Sequence, residues 1–216
     1  MSALVEYLPL FGQGILRTLS ICLWGGLGAL LLGTLLVTFR ISPVPILQRI
    51  GTGWVSVMRN VPLAVVVFFL AFGLPEIGIR GSYFWFGVSA LAVYTAAFVC
   101  EALRSGINSV PIGQAEAARA LGMPFRLTLL GVIVPQAIRT ATPPLANTTI
   151  AMIKDSALIG AIGVGGDLFS LADTLSASRG VDVIPVLIGV VLGYLLIIAP
   201  TSALFTFSEK RSVVRA

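Results

Sequence analysis

The run ILRTLSICLWGGLGALLLGTLLVTF at 15–39 constrains this chain more than any other stretch: it is predominantly apolar and uncharged except for Arg17 near its start. An α-helix needs about 20 such residues to cross the hydrocarbon core of a bilayer, and only a helix or a closed barrel can satisfy its backbone there. A signal peptide would show a basic leader and a shorter apolar core. Glu6 stands in front of this run and nothing basic does, so the expectation is a retained first span.

Further runs follow. The second span is expected at 54–74, with Arg59 and Asn60 near its entry, after a short connection holding Arg40, Pro43, Pro45 and Arg49. A loop with Pro75, Glu76, Gly78, Arg80 and Gly81 leads to a third span at 83–103. A polar segment, 104–126, separates it from a fourth at 127–153, which contains Pro135, Arg139, Pro143 and Pro144. Prolines in that number are expected to bend or break it. SALIGAIGVGG at 156–166 is too short to cross and too apolar for a plain loop, which suggests a re-entrant or cavity-lining piece. The last span is expected at 183–207. The whole chain, 1–216, thus reads as one all-α transmembrane domain of five helices.

Charge gives an orientation. Hydrophobic residues make up 57% and charged ones only 11%, so each charge carries information. Arg40, Arg49, Arg104, Arg119, Arg126, Lys210, Arg211 and Arg215 fall on one side of a five-span topology. Arg80 and Arg179 fall on the other, beside Glu6, Glu76, Asp167, Asp173 and Asp182. By the positive-inside rule the N-terminus is outside and the C-terminus cytoplasmic. The basic balance, net +5, therefore reports topology and gives no reason to invoke nucleic acid. Cys22 and Cys100 lie in apolar runs and read as packing residues.

GQAEAARALG at 113–122 is a good helix-former between two apolar stretches. Ser109 and Pro111 suit a helix start, and Gly122 with Pro124 suits its stop. A helix over 111–121 would be about 16 Å long at 1.5 Å per residue, too short to span. The topology puts it in the cytoplasm. Ala115, Ala118 and Leu121 share one side at helical spacing, where small residues would admit another protein surface. Glu116 and Arg119 are spaced to pair with each other or with a partner. Composition alone is equally compatible with a solvated connector at the membrane interface.

The spacing resembles something more specific. Glu116-Ala117-Ala118, three residues, Gly122, nine residues, then Val132, Val134 and Pro135 is similar to the EAA motif of ABC importer permeases. Val132 and Val134 stand where the motif has Ile and Leu. RNVPL at 59–63, EALRSGINSVPIGQAEAARALG at 101–122 and KDSALIGAIGVGG at 154–166 resemble segments of polar amino acid permeases, most of all those of actinobacterial glutamate uptake. The resemblance implies a type I importer fold in the bacterial cell membrane, with five core helices per permease. It implies that Gly113, Gln114, Ala115, Glu116, Ala117, Ala118, Arg119 and Gly122 form a coupling helix docked on an ABC ATPase dimer. It also implies a second permease subunit, with a heterodimer favoured, an extracellular substrate-binding protein and an amino acid substrate. The sequence has no Gly-x-x-x-x-Gly-Lys-Ser/Thr phosphate loop of the kind that cradles nucleotide phosphates. ATP and Mg²⁺ are accordingly expected on the partner ATPase, and no cofactor and no catalysis in this chain.

Ionisable groups inside spans mark pathways or pairs. Arg59, Asn60, Glu101, Arg139, Lys154, Asp155 and Ser156 are the candidates for the substrate pathway; Asn147 and Thr148 could add neutral hydrogen bonds. Arg59 and Glu101 could equally brace one another, and Arg17 could snorkel. Lys154 and Asp155 fall where a broken helix would place a transporter's site. Gly160, Gly163, Gly165 and Gly166 there suit close packing or a hinge. Four cations against two acids within spans suits an anionic substrate such as glutamate; glutamine, arginine, histidine or cystine are the alternatives. A stand-alone secondary transporter with Asp155 or Glu101 as proton site would leave the motif spacing unexplained. A membrane enzyme finds no histidine and no nucleophile–base pair to build on.

Overall fold

The computed structural model describes residues 7–178 and 180–213, without the side chains of 178 and 208–213. Glu6, Arg179 and Arg215 of the charge pattern lie outside the described residues, as do the side chains of Lys210 and Arg211.

Among the described residues every regular element is helical. The first helix, α1 (Leu8–Ile41), covers the founding apolar run and ends at Ser42, whose ψ is 144°. That is the extended conformation a following proline demands. α2 (Pro45–Asn60) begins with proline, which needs no hydrogen-bond partner there. It stops at Val61, extended before Pro62, and α3 (Leu63–Phe68) resumes after a turn of 106°. A π turn (Phe69–Gly73) and Leu74–Glu76 complete that arm. α4 (Tyr83–Asn108) starts at Ser82, whose hydroxyl accepts from the Trp85 amide at 3.4 Å, as a helix cap does. Then come α5 (Ile112–Ala120), α6 (Phe125–Thr128), a π turn (Leu129–Ile133) and α7 (Val134–Ala161). α8 (Ser170–Asp173), a π turn (Thr174–Ser178) and α9 (Val183–Val213) close the chain.

Among the described residues three helices, α1, α4 and α9, are long and apolar enough to cross a membrane, and the bent pair around Pro62 makes a fourth if counted as one span. The five expected spans differ from this in two places. In place of one helix over 54–74 there are two, because the residue before Pro62 is pushed out of the helical region. In place of a stretch ending at 153, α7 runs on to Ala161 through Pro143 and Pro144. SALIGAIGVGG is therefore not a separate re-entrant piece: its first half is the end of α7, and the break falls at Ile162–Gly166. Gly106 of α4 is buried where that helix meets Ala137 and Ala141 of α7.

In lipid, helices are held by close packing more than by the hydrophobic effect. α1 and α4 pack along their length accordingly. Gly25, Gly28 and Gly33 of α1 take up Leu91, Ala92 and Val99 of α4, and a Cβ on Gly33 would stand 2.6 Å from a Val99 methyl. One buried cluster joins Ile21, Val67, Leu91 and Ile159; a second, farther along α1, joins Leu36, Val55, Ala96 and Cys100. Both cysteines are free and buried.

Candidate functional site

Two places carry chemistry: the turn of helix between α4 and α7, and a set of charges between α1, α2 and α4.

α5 begins after Pro111, whose ψ of 137° is outside the helical range. The first amides of the helix are left free, as at any uncapped N-terminus. Ser109 does not cap it; its hydroxyl donates to the Gly106 carbonyl at 2.7 Å, closing α4 instead. The far end is closed by Gly122 at φ +75°. That conformation strains any side chain and makes glycine the usual helix stop. The Gly122 amide reaches the Arg119 carbonyl at 2.9 Å and the Met123 amide the Ala118 carbonyl at 3.1 Å. Ala118 is buried and Ala115 half-buried, with α5 set against the π turn at Leu129–Ile133. The small residues thus serve internal packing, and Leu121, past the last helical turn, is exposed and does not join them. Glu116 and Arg119 are exposed and form no ion pair with each other. The outward surface is unusually apolar for a polar segment: Ile112, Leu121 and Phe125 are 77%, 82% and 79% exposed.

Glu101 sits at the centre of the second place. Its Oε1 meets Arg40 Nη1 at 2.5 Å and Arg59 Nη1 at 3.5 Å; its Oε2 meets Arg104 Nη2 at 2.9 Å. The Arg59 pairing is the one anticipated. Arg104, three residues along the same helix, is legible from spacing. Arg40, 61 residues away, is not. Three guanidinium groups around one carboxylate leave the cluster with a surplus of two positive charges. Arg59 is its loosest member, half exposed and at the longest distance. A cavity of about 350 Å³ opens beside it, lined by Arg40, Thr52, Ser56, Arg59, Asn60 and Glu101. α2 supplies its polar wall because Thr52, Ser56 and Asn60 recur every four residues.

The other pathway candidates do not join this cluster. Asp155 lines a second cavity, about 260 Å³, with Tyr94, Thr95, Phe98, Asn147 and Thr148. Ser156 is fully buried and donates to the Ile153 carbonyl at 2.8 Å within its own helix. Arg139 and Lys154 are exposed on α7. Lys154 and Asp155 lie well inside α7 and not at a helix break. Arg17 donates to the Gly165 carbonyl at 3.3 Å and covers the Phe84 ring at 4.5 Å. A hydrogen bond and a cation–π contact together explain it structurally.

One acid stands apart from its expected place. Asp167, expected as a loop residue on the outer side, is fully buried. It accepts from the Tyr194 hydroxyl at 2.6 Å and from the Phe169 and Ser170 amides at 3.1 Å each. The adjoining Leu168 amide donates to the Thr18 hydroxyl at 3.0 Å. These bonds pin the 163–170 connection to α1 and α9. Burial pushes the Asp167 carboxyl up to about 6 against the opposing pull of its hydrogen bonds, the direction expected when desolvation outweighs stabilising partners.

An all-helical bundle with a short exposed helix at one end and charged, cavity-lining residues between its long helices is the build of a transporter's membrane subunit. The chain belongs to the family described as the inner membrane component of binding-protein-dependent transport systems, which matches residues 25–214. It is similar to the probable glutamine ABC transporter permease GlnM of Bacillus subtilis, 38% identical over 98% of this chain and 97% of that one. It is also similar to the glutamate transport system permease GluC of Corynebacterium glutamicum, 42% identical over 68% of this chain and 70% of that one. The crystal structure of an amino acid ABC transporter with histidines superimposes with a TM-score of 0.90 at 32% identity, covering 97% of both chains. The protein is thus a multi-pass plasma membrane protein, an amino acid ABC importer permease of the type I fold.

Proposed function

We propose that this chain imports a polar amino acid, glutamate first among them, by alternating access driven from partner ATPases through α5. The observation that carries the reading is the outward surface of α5 and its flanks. Ile112 stands exposed just before the Glu116–Pro135 window and Glu116, Leu121 and Phe125 stand exposed within its first half, beyond the end of the long helix that bears Glu101. An apolar surface of this kind on a polar connection is what a partner protein covers. ATP and Mg²⁺ belong on that partner; a second permease and an external binding protein complete the assembly.

The five-span arrangement, N-terminus outside and C-terminus cytoplasmic, belongs to the same reading. α7 has 28 residues. At 1.5 Å per residue that makes it about 42 Å long, enough to cross. Its polar residues keep it out of the purely apolar class. The cluster at Glu101 and the cavity at Asp155 are then stations along the pathway, with Arg59 and Asn60 at the first. The surplus positive charge at Glu101 and the likeness to a glutamate permease favour an acidic substrate. The near full-length likeness to a probable glutamine permease makes glutamine the second reading.

ATP hydrolysis by the reconstituted complex, with its binding protein, separates these readings. Glutamate is expected to stimulate hydrolysis at least tenfold more effectively than glutamine, arginine or histidine at equal concentration, about 1.4 kcal/mol of discrimination. Equal stimulation by all four would overturn the assignment to glutamate.

A further inference from the structure

One stripe of α1 changes character along its length. Gln13, Arg17, Ser20, Trp24, Leu27 and Leu31 fall within about a quarter of a turn at 100° per residue. The first three are polar and the last three apolar; all are exposed except Ser20, which is half-buried. The change falls at a definite level. Trp24 meets Trp85 of α4 with ring centroids 6.1 Å apart, and Tyr83 and Trp85 are themselves exposed. Exposed Trp and Tyr gather where a membrane's hydrocarbon gives way to its headgroups. The Arg17 guanidinium, 4.5 Å from the Phe84 ring in the first turn of α4, stands at that level. Leu27 follows about 15 Å farther along the axis, which is the hydrocarbon depth of one leaflet.

A cavity of about 480 Å³ opens at the polar end of the stripe, lined by Gln13, Leu16, Arg17, Ser20, Gly166 and Leu171. Arg17 is fixed in its wall by Nε, which donates to the Gly165 carbonyl, and by Phe84 under its guanidinium carbon. Among the described residues nothing accepts from its Nη1 or Nη2. Asp167, next to Gly166 in the chain, is turned to Tyr194 and to the Phe169 and Ser170 amides, and every ion pair converges on Glu101. We propose that this cavity holds the phosphate of an anionic phospholipid whose acyl chains lie along Trp24, Leu27 and Leu31. A guanidinium with its terminal nitrogens free presents the paired donors that a phosphate takes. Basic pockets between membrane helices at headgroup depth are built for such groups. A free amino acid would meet the same cation but make no use of the apolar half of the stripe, whereas a lipid uses both halves. With no free carboxylate at the site, a headgroup carrying its own ammonium has nothing to pair with, so a net negative lipid is preferred. The inference goes beyond the permease reading and requires only that the chain sit in a bilayer; the orientation proposed above puts the site in the outer leaflet.

Leu16, exposed at the rim of the cavity, is the place for a photo-crosslinking residue, because Arg17 then stays as it is. Leu16→benzoylphenylalanine is irradiated in the assembled complex, held in nanodiscs of phosphatidylcholine with a minor share of phosphatidylglycerol, and the products are identified by mass spectrometry. Phosphatidylglycerol is expected to be crosslinked in preference, at a ratio to phosphatidylcholine about tenfold that of the disc. Products in the disc's own ratio, crosslinks to protein alone or no lipid product at all overturn the proposal. Glutamate or inorganic phosphate added in excess is expected to leave the lipid product unchanged; competition by either gives the cavity to a free anion and overturns it too. Arg17→Gln, combined with the Leu16 label, is expected to bring the ratio down to that of the disc, and Arg17→Lys, which keeps the charge, to retain the preference. A preference that survives Arg17→Gln also defeats the assignment, and the first arm decides the matter even where that variant does not fold.

Discussion

Asp167 shows how much one buried residue does for the connection between α7 and α9. Its three hydrogen bonds hold a loop that is otherwise tied to α1 by Arg17 at the Gly165 carbonyl and Thr18 at the Leu168 amide. The carboxylate also lies against Gly160, where any Cβ would collide with it. Removing the carboxylate in Asp167→Ala leaves the Tyr194 hydroxyl and two amides without an acceptor, at a cost of about 2–4 kcal/mol. A fall in apparent Tm of the detergent-solubilised chain reads this out. The pH dependence has a definite sign. The folded chain keeps a proton on Asp167 up to about pH 6, whereas an unfolded carboxylate releases it near 3.8. Stability therefore declines as pH rises from about 4 to about 6 and levels off above, since in that window the unfolded state binds fewer protons. Asp167→Asn should flatten that decline; an unchanged slope in the variant assigns it elsewhere. Nothing in the sequence marks Asp167 as buried. Glycines and an exposed-looking acid read as loop, and Tyr194 and Thr18 are brought to it only by the fold.

At the scale of elements, periodicity and proline placement carry most of the reading, and their failures have physical causes. The α5 helix, between Pro111 and Gly122, lies within a residue of its expected ends, because both boundaries are set by local backbone chemistry. The corner at Val61–Pro62 has a local signal too, but the apolar run across it suggests continuity. α7 passes Lys154 without breaking because its break needs left-handed backbone, which first occurs at Gly163 with φ +78°. The pairing of Arg59 with Glu101 is legible as two span-end charges of opposite sign. The entry of Arg40 is not, since it depends on how α1 lies against α4. The surface of α5 carries its own prediction. Gly122→Trp forces a side chain into backbone at φ +75°, and Glu116→Lys inverts a charge on the exposed side. Each should reduce substrate-stimulated ATP hydrolysis and uptake at least tenfold while the chain still inserts and can be purified from membranes. Wild-type coupling in both variants would remove α5 from the role proposed for it.

At the scale of the whole molecule the arrangement is asymmetric in charge and in build. The Arg40–Arg59–Arg104 cluster and α5 are expected at the cytoplasmic end, and the loop at Glu76–Ser82 and the connection at Asp182 at the other. Thiol labelling tests this directly. Ala120→Cys should react with a membrane-impermeant maleimide only after the membrane is opened, and Ile79→Cys in intact cells. The reverse pattern would invert the topology. Hydropathy makes the long helices legible, and the charge pattern supplies their expected orientation. The two packed clusters are not legible, because the glycines of α1 that admit α4 look the same in sequence as glycines that admit nothing. Those clusters meet at the 106° corner, with Val55 of α2 in one and Leu63 of α3 in the other. A straight rod would pass an axial push directly from one cluster to the other. Here the two arms meet like a crank: thrust along α2 arrives at α3 as sideways pressure, so that a small slide at one end of the bundle becomes a tilt at its other end.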